Sequence, residues 1–326
     1  MAEPLLSLRD FRVSFPTMRG EVQAVRGVNL DVHEGELLAV VGESGSGKSV
    51  TFLGTMGLLP KNTKVSGSAK LLGKELVGAP MSQVRRSCGK DIAMIFQDPL
   101  SALNPVQRIV TQITEMLQSH AKDMSKKAAH DRTVELLDLV GIPQPDERAM
   151  QYPHEFSGGM RQRVMIAMAI ANDPKVLIAD EPTTALDVTV QAQILELIQK
   201  IQKELGAAVV LITHDLGVVA RVADRVQVMY AGRVVERGDL TPLYDHPSHP
   251  YTRGLMDSLP GSSRERLTPI PGAPPNMLAP PSGCAFRTRC SYATVDCAVA
   301  VPELKAFGDL ENACIRSNEL VQELTR

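Results

Sequence analysis

The stretch LLAVVGESGSGKSVTFLGTMGLL, residues 37–59, decides the fold. Leu37 to Val41 read as a short buried strand, Gly42, Gly45 and Gly47 force a tight turn, and a helical run follows from Lys48. The turn satisfies G-x-x-x-x-G-K-[ST], and it lies between a strand and a helix, where a phosphate cradle needs it. With no Cβ atoms on the glycines, successive N–H groups across Ser44 and Ser46 can curl around an anion, and the helix N-terminus adds its positive end. Lys48 is placed to neutralise β- and γ-phosphates, and Ser49 to offer its hydroxyl to Mg²⁺.

A second motif strengthens the first. The apolar run Val176-Leu177-Ile178-Ala179 ends in Asp180-Glu181. A buried strand delivers both carboxylates to the edge of an open α/β sheet where ligands bind. Asp180 then supports Mg²⁺, and Glu181 polarises the attacking water. Alone, the pair would read as an ordinary acidic strand end.

Apolar runs at 37–42, 175–181 and 208–214 alternate with helical patterns, which predicts a parallel sheet of the α/β kind. In DVTVQAQILELIQKIQKEL, residues 187–205, Val190, Ile194, Leu197, Ile198 and Ile201 recur at helical spacing, and Gly206 is a stop signal. Short strands in residues 1–35 predict a small antiparallel sheet, and helical patterns such as 109–118 and 131–141 predict an inserted helical subdomain over about 98–160. From 242 the chain turns rich in proline and glycine, which reads as a mostly irregular extension. The expected architecture is therefore α/β, a P-loop NTPase core with a small antiparallel β subdomain, a helical insert and an irregular C-terminal metal-binding extension. Its division falls at 1–241 and 242–326.

The 326 residues accommodate such a core with an appendage, and a formal net charge of −2 gives no footprint for nucleic acid. No run of about 18 apolar residues exists, and the start MAEPLLSLRDFRV has no basic region leading into an apolar one. The chain is expected neither to span a membrane nor to be exported, so any membrane role comes through partners.

Four of the five cysteines, Cys284, Cys290, Cys297 and Cys314, follow C-x5-C-x6-C-x16-C. Four thiolates suit zinc or an iron–sulfur cluster, and spacing does not choose between them. Arg287 and Arg289 either offset the charge of such a cluster or are solvated surface residues. Cys88 stands apart as an incidental thiol.

Phe156-Ser157-Gly158-Gly159-Met160, followed by Arg161-Gln162-Arg163, resembles the signature loop of ABC ATPases, with Phe for the usual Leu and Met for the usual Gln. The resemblance implies that Ser157, Gly158 and Gly159 grip the γ-phosphate bound to an opposite subunit. It also makes Gln97 in IFQDP the Q-loop glutamine at Mg²⁺, Ala185-Leu186-Asp187 the D-loop, His214 the switch histidine and Phe15 the aromatic that stacks on adenine. Each has a plainer alternative: a loop amide, a helix cap, a satisfied histidine and a core aromatic respectively.

FQDPLSALNP (96–105), HPYTRGLMDSLP (249–260) and PSGCAFRTRC (281–290) are similar to dipeptide and oligopeptide permease ATPases, a group that includes nickel importers. That resemblance implies ATP hydrolysis powering peptide uptake at the cytoplasmic face of the membrane. It further implies a second homologous ATPase subunit, two transmembrane permease subunits, an extracytoplasmic substrate-binding protein, and a [4Fe–4S] cluster on the four cysteines. Nickel, haem or another small solute as cargo, a soluble ABC ATPase of DNA repair or translation, and a non-enzymatic iron–sulfur sensor are the competing readings.

Overall fold

The strand Leu37–Val41 is buried at every residue, as a strand covered on both faces must be. It pairs in parallel with Arg225–Tyr230, with Leu38 opposite Arg225 and Val41 opposite Val228. These elements come from a computed structural model that describes residues 3–184, 186–259 and 269–324. Ala185 of the D-loop stretch and Pro260 lie outside the described residues.

The chain divides into two units, and Leu37–Val41 belongs to the one made of 6–32, 36–78 and 212–326. After Arg225–Tyr230 the chain reverses at Ala231 and Gly232, both at positive φ (47° and 75°), and returns as Arg233–Asp239. Two left-handed residues make a hairpin turn whose twist matches that of the strands. A separate four-stranded antiparallel sheet runs Gly20–Val32, Leu6–Thr17, Lys64–Leu71, Lys74–Glu75. Its first two strands are the small sheet expected near the N-terminus, and the last two carried too little alternation to be read from sequence.

The extension is more regular than its composition suggests. Helices Pro250–Asp257 and Ser317–Leu324 form, and Leu310–Asn312 pairs antiparallel with Arg233–Asp239, followed by Lys305–Phe307. The extension thus continues the edge of the Arg225–Asp239 hairpin. These strands have three residues each, below the length at which an alternating pattern can be recognised.

The other unit contains residues 79–211 together with 33–35 and the first residues of the chain. Here Ile92–Ile95 pairs in parallel with Val176–Asp180, with Ile92 opposite Val176 and Ile95 opposite Ala179. Ala208–Thr213, which begins in this unit, flanks Val176–Asp180. Between Ile95 and Val176 the described elements are all helical, chiefly Ile109–His120, Lys126–Leu139 and Gly158–Ala169. Helix Val188–Leu205 buries Ile194, Leu195, Leu197, Ile198 and Ile201, each contributing about 1.5–3 kcal/mol by leaving water. It ends at Gly206 in the left-handed conformation, as the sequence indicates.

A buried polar chain ties the extension to its hairpin. The Glu236 carboxylate accepts from both the N–H and the hydroxyl of Ser248 at 2.6 Å, and the Ser248 hydroxyl accepts from Asn312 Nδ2 at 2.6 Å. Asn312 Oδ1 in turn accepts from the Cys314 N–H at 3.0 Å and the Ser317 hydroxyl at 2.8 Å. Burial raises the Glu236 pKa above its ordinary 4.5. A carboxyl so raised stabilises the fold below its unfolded pKa, and that contribution is lost as pH climbs through the folded value. Subtracting the Glu236→Gln profile from the wild-type profile of denaturation midpoint against pH is expected to leave a difference that declines from about pH 4.5 upward. A flat difference would show that Glu236 is not the titrating group.

Candidate nucleotide site

The phosphate loop is built by close approach of backbone to backbone. A Cβ on Gly42 (φ 150°) would lie 2.2 Å from the Met229 carbonyl oxygen, and one on Gly47 (φ 99°) 2.5 Å from that of Ala24. Only glycine fits either place. Gly45 (φ 79°) differs, since no neighbour crowds its missing Cβ and its backbone conformation alone favours glycine. Helix Lys48–Thr55 begins directly at Gly47 without a side-chain cap, the kind of helix start at which anions bind. Ser46 is buried, its N–H donates to Glu43 O at 3.2 Å, and its carbonyl accepts from Gly232 N–H at 2.9 Å. The buried Lys48 ammonium donates to the carbonyls of Gly42 (2.7 Å) and Glu43 (3.0 Å), folded back on its own loop. Ser49 follows on the first turn of the helix, and Ser44 lies on the half-exposed to exposed crest of the loop.

Glu43 is the residue of this loop that sequence reasoning passed over. Its N–H donates to the Tyr251 hydroxyl at 2.9 Å, and its carboxylate takes two bonds from Arg289, 2.6 and 3.0 Å. The Arg289 side chain is 3% exposed, so it is neither a solvated surface residue nor a free counter-charge for the cysteines. The motif leaves position 43 open, and a pairing across 246 residues leaves no local signal.

In the same unit, Phe15 is half-buried on the strand Leu6–Thr17, opposite Val22, which leaves ring surface accessible. His214 is exposed just beyond Ala208–Thr213, and the following Asp215 caps helix Leu216–Val222 through Gly217 and Val218 N–H.

In the other unit Asp180 is buried at the end of its strand, and Glu181 turns the chain at φ 45°. A non-glycine residue in that region is uncommon and stores strain at sites where a side chain must be aimed. The Glu181 carboxylate accepts from Gln97 Nε2 at 2.9 Å and from the Thr184 hydroxyl at 3.0 Å, so two expected site residues meet directly. The exposed Ser157 caps helix Gly158–Ala169 through Met160 N–H at 3.3 Å, and Asp187 caps Val188–Leu205 through Val190 N–H at 3.0 Å. Gly158 is open to solvent, whereas a Cβ on Gly159 would meet Val190 Cγ1 at 2.9 Å, which seats the signature stretch on the following helix.

Cys284, Cys290, Cys297 and Cys314 line one small cavity together with His249, Phe286 and Arg287. Burial, with a smaller contribution from mutual repulsion, pushes the thiols of Cys284, Cys290 and Cys314 up, Cys290 to about 11. Among the described residues no group of three or more His, Cys, Asp or Glu is placed to hold a single metal ion. The metal-binding character expected of the extension is therefore not displayed, although its four thiols do share a cavity. Cys88, raised by burial, caps the end of Met81–Ser87 away from this group in sequence.

Two family models match the chain, that of the ABC transporter over residues 25–184 and that of the oligopeptide/dipeptide transporter C-terminal region over 235–297. The oligopeptide transport ATP-binding protein OppD of Haemophilus influenzae is 49% identical over 97% of this chain and 98% of its own length. The dipeptide transport ATP-binding protein DppD of Bacillus subtilis is 53% identical over 90% of this chain and 89% of its own. A dimeric ATP-binding cassette solved in a post-hydrolysis state with ADP and Pi is 27% identical and superposes with a TM-score of 0.65 over 72% of this chain and 98% of that one.

Fold and loop chemistry together define an ATP-binding cassette that hydrolyses ATP to drive transport. The chain belongs to the family of oligopeptide and dipeptide transport ATP-binding proteins of ABC transporters. Among its described residues no helix is long and apolar enough to cross a membrane.

Gly42→Ala forces either the loop or the Met229 strand to move. ATP binding, followed with a fluorescent analogue, is expected to weaken by at least tenfold, a loss of about 1.4 kcal/mol, while Gly45→Ala costs less because only backbone strain opposes it. Equal effects would show that the crowding at Met229 is not what sets the loop.

Proposed function

We propose that the chain is the ATP-hydrolysing subunit of an importer of dipeptides or oligopeptides, docked peripherally at the cytoplasmic face of the membrane. The observation that carries this reading is near-half identity, over almost the full length of both chains, to a protein named for oligopeptide transport. The match of residues 235–297 to a C-terminal region described for such transporters supports it. Nickel, haem or another small solute remains the alternative cargo, since cargo does not touch this subunit. A second homologous ATPase subunit, two permease subunits and an extracytoplasmic binding protein complete the proposed assembly, with 1–241 as the nucleotide-binding part and 242–326 as the peptide-permease extension.

In this reading the loop glycines, Ser44, Ser46 and Lys48 hold the phosphates and Phe15 stacks on adenine. Ser49, Gln97 and Asp180 hold Mg²⁺, which supplies charge neutralisation on the phosphates. Ser157, Gly158, Gly159 and Asp187 serve the nucleotide of the partner cassette. Glu181 orients and polarises water, and His214 contacts the γ-phosphate. Closing of two cassettes moves the permease, and hydrolysis resets the pair.

The four-cysteine cavity is proposed to take a [4Fe–4S] cluster on Cys284, Cys290, Cys297 and Cys314. What supports this is the donor set, four thiols lining one cavity, together with the family resemblance of the segment that carries the first three of them. The cluster would supply structural cross-linking of three chain segments, and the thiols would have to lose their protons to bind it.

Glu181→Gln is expected to keep ATP affinity within about twofold and to lower hydrolysis by at least about a hundredfold, with uptake of labelled peptide lost in parallel. Retained turnover would remove the water-activating role. Chain isolated without oxygen should carry a broad visible absorption and stoichiometric iron, both absent from a Cys290→Ser/Cys297→Ser variant. Zinc without iron in the same preparation would replace the cluster by the other thiolate metal.

A further inference from the structure

Arg289 joins the extension to the phosphate loop, and all three of its guanidinium nitrogens are hydrogen-bonded. Nε bonds the Pro271 carbonyl at 2.8 Å, Nη1 reaches Glu43 Oε2 at 2.6 Å and the Tyr230 hydroxyl at 3.4 Å, and Nη2 reaches Glu43 Oε1 at 3.0 Å and the Ile270 carbonyl at 3.4 Å. A planar fork facing both oxygens of a carboxylate is the strongest form of this pairing, and it fixes direction as well as distance.

On the other side, Glu43 is pinned at every polar group the backbone and side chain offer. Its N–H is taken by Tyr251, its carbonyl accepts from Lys48 and Ser46, and its carboxylate is held by Arg289. Glu43 follows Gly42 directly, so it forms the fixed end of the loop, while Gly45 has open space around it. Tyr251 and Tyr230 themselves pack at a tilt of 56°, 4.6 Å between centroids, and Phe286 of the extension packs on both at 5.3 and 5.2 Å. The hold on Glu43 thus comes from the extension residues Tyr251 and Arg289, backed by Phe286 and by Tyr230 of the core strand.

We propose that Arg289 is a positioning residue for nucleotide binding: from the C-terminal extension it holds Glu43, and through Glu43 it sets the shape in which the loop meets ATP. The cassette core alone would then leave its phosphate loop under-restrained, and the extension raises affinity by removing that freedom before ATP arrives.

The test is a double-mutant cycle on the full-length chain, with ATP KM, kcat and melting temperature measured for each variant. Arg289→Met and Glu43→Gln are each expected to raise KM about three- to tenfold and to leave kcat within about twofold, as loss of uniform binding requires. Glu43→Gln should also lower the melting temperature, because it strands a buried guanidinium. The double variant leaves no unpaired charge, so its melting temperature should recover towards wild type while its KM stays high. Arg289→Lys, which keeps the charge without the fork, should fall between.

Recovery of KM together with melting temperature in the double variant would reduce the pair to a structural contact and overturn the proposal. So would additive effects of the two single changes, or a fall in kcat at constant KM. Should Arg289→Met fail to fold, Glu43→Gln and Glu43→Asp carry the same KM test from within the loop, and a wild-type KM in both would sink it.

Discussion

The carbonyl oxygens of Met229 and Ala24 press against Gly42 and Gly47 so closely that no side chain could stand between, and this wedging is the constraint on which the nucleotide-binding unit is built. It fixes both ends of the loop to neighbouring backbone. The hairpin turn at Ala231-Gly232 closes the arrangement, since Gly232 N–H donates to Ser46 O and its carbonyl accepts from Arg26 N–H. These contacts hold the loop at Gly42, Ser46 and Gly47, and between them Glu43 is held from the extension by Arg289.

The same hairpin is the root of the extension. Its return strand Arg233–Asp239 carries the added strand Leu310–Asn312 and, through Glu236, the buried hydrogen-bond chain that ends at Cys314. Its first strand ends at Tyr230, which packs on Tyr251 and Phe286. The extension is therefore not a tail attached to a finished domain. It completes packing that the hairpin begins, and Arg289, next in sequence to Cys290, places the four-cysteine segment one residue from the clamp on Glu43.

What could be read from the sequence follows from the range of each interaction. The phosphate loop, the buried strand before it, the acidic strand end at Asp180-Glu181 and the helix stopping at Gly206 each lie within a single window of periodicity or turn chemistry, and each takes the form expected. The strands Lys64–Leu71 and Leu310–Asn312 have too weak or too short a pattern, and their pairing with distant partners decides them. Arg289 shows the limit most clearly. A charged residue between two cysteines suggests a surface or a counter-ion, and only the fold shows that it is buried opposite a carboxylate 246 positions away. Asp187 forms the helix cap that is the plainer alternative to its family role, and Ser157 caps a helix as well. Capping and phosphate contact are compatible, because each uses a short polar side chain at a helix start.

The pairing of Gln97 with Glu181 bears on why an amide suits position 97. Its Nε2 donates to the Glu181 carboxylate, which holds an acceptor-only group in a fixed direction at a strained backbone position. The same amide still has its oxygen, and a carbonyl-type oxygen is a ligand that Mg²⁺ accepts. A glutamate at 97 would repel Glu181, and a lysine would hold the carboxylate but repel the cation. With Gln97 as the Mg²⁺ ligand and Glu181 as the water-polarising carboxylate proposed above, one side chain serves both groups at once, and its two ends link occupancy of the metal site to the orientation of that carboxylate.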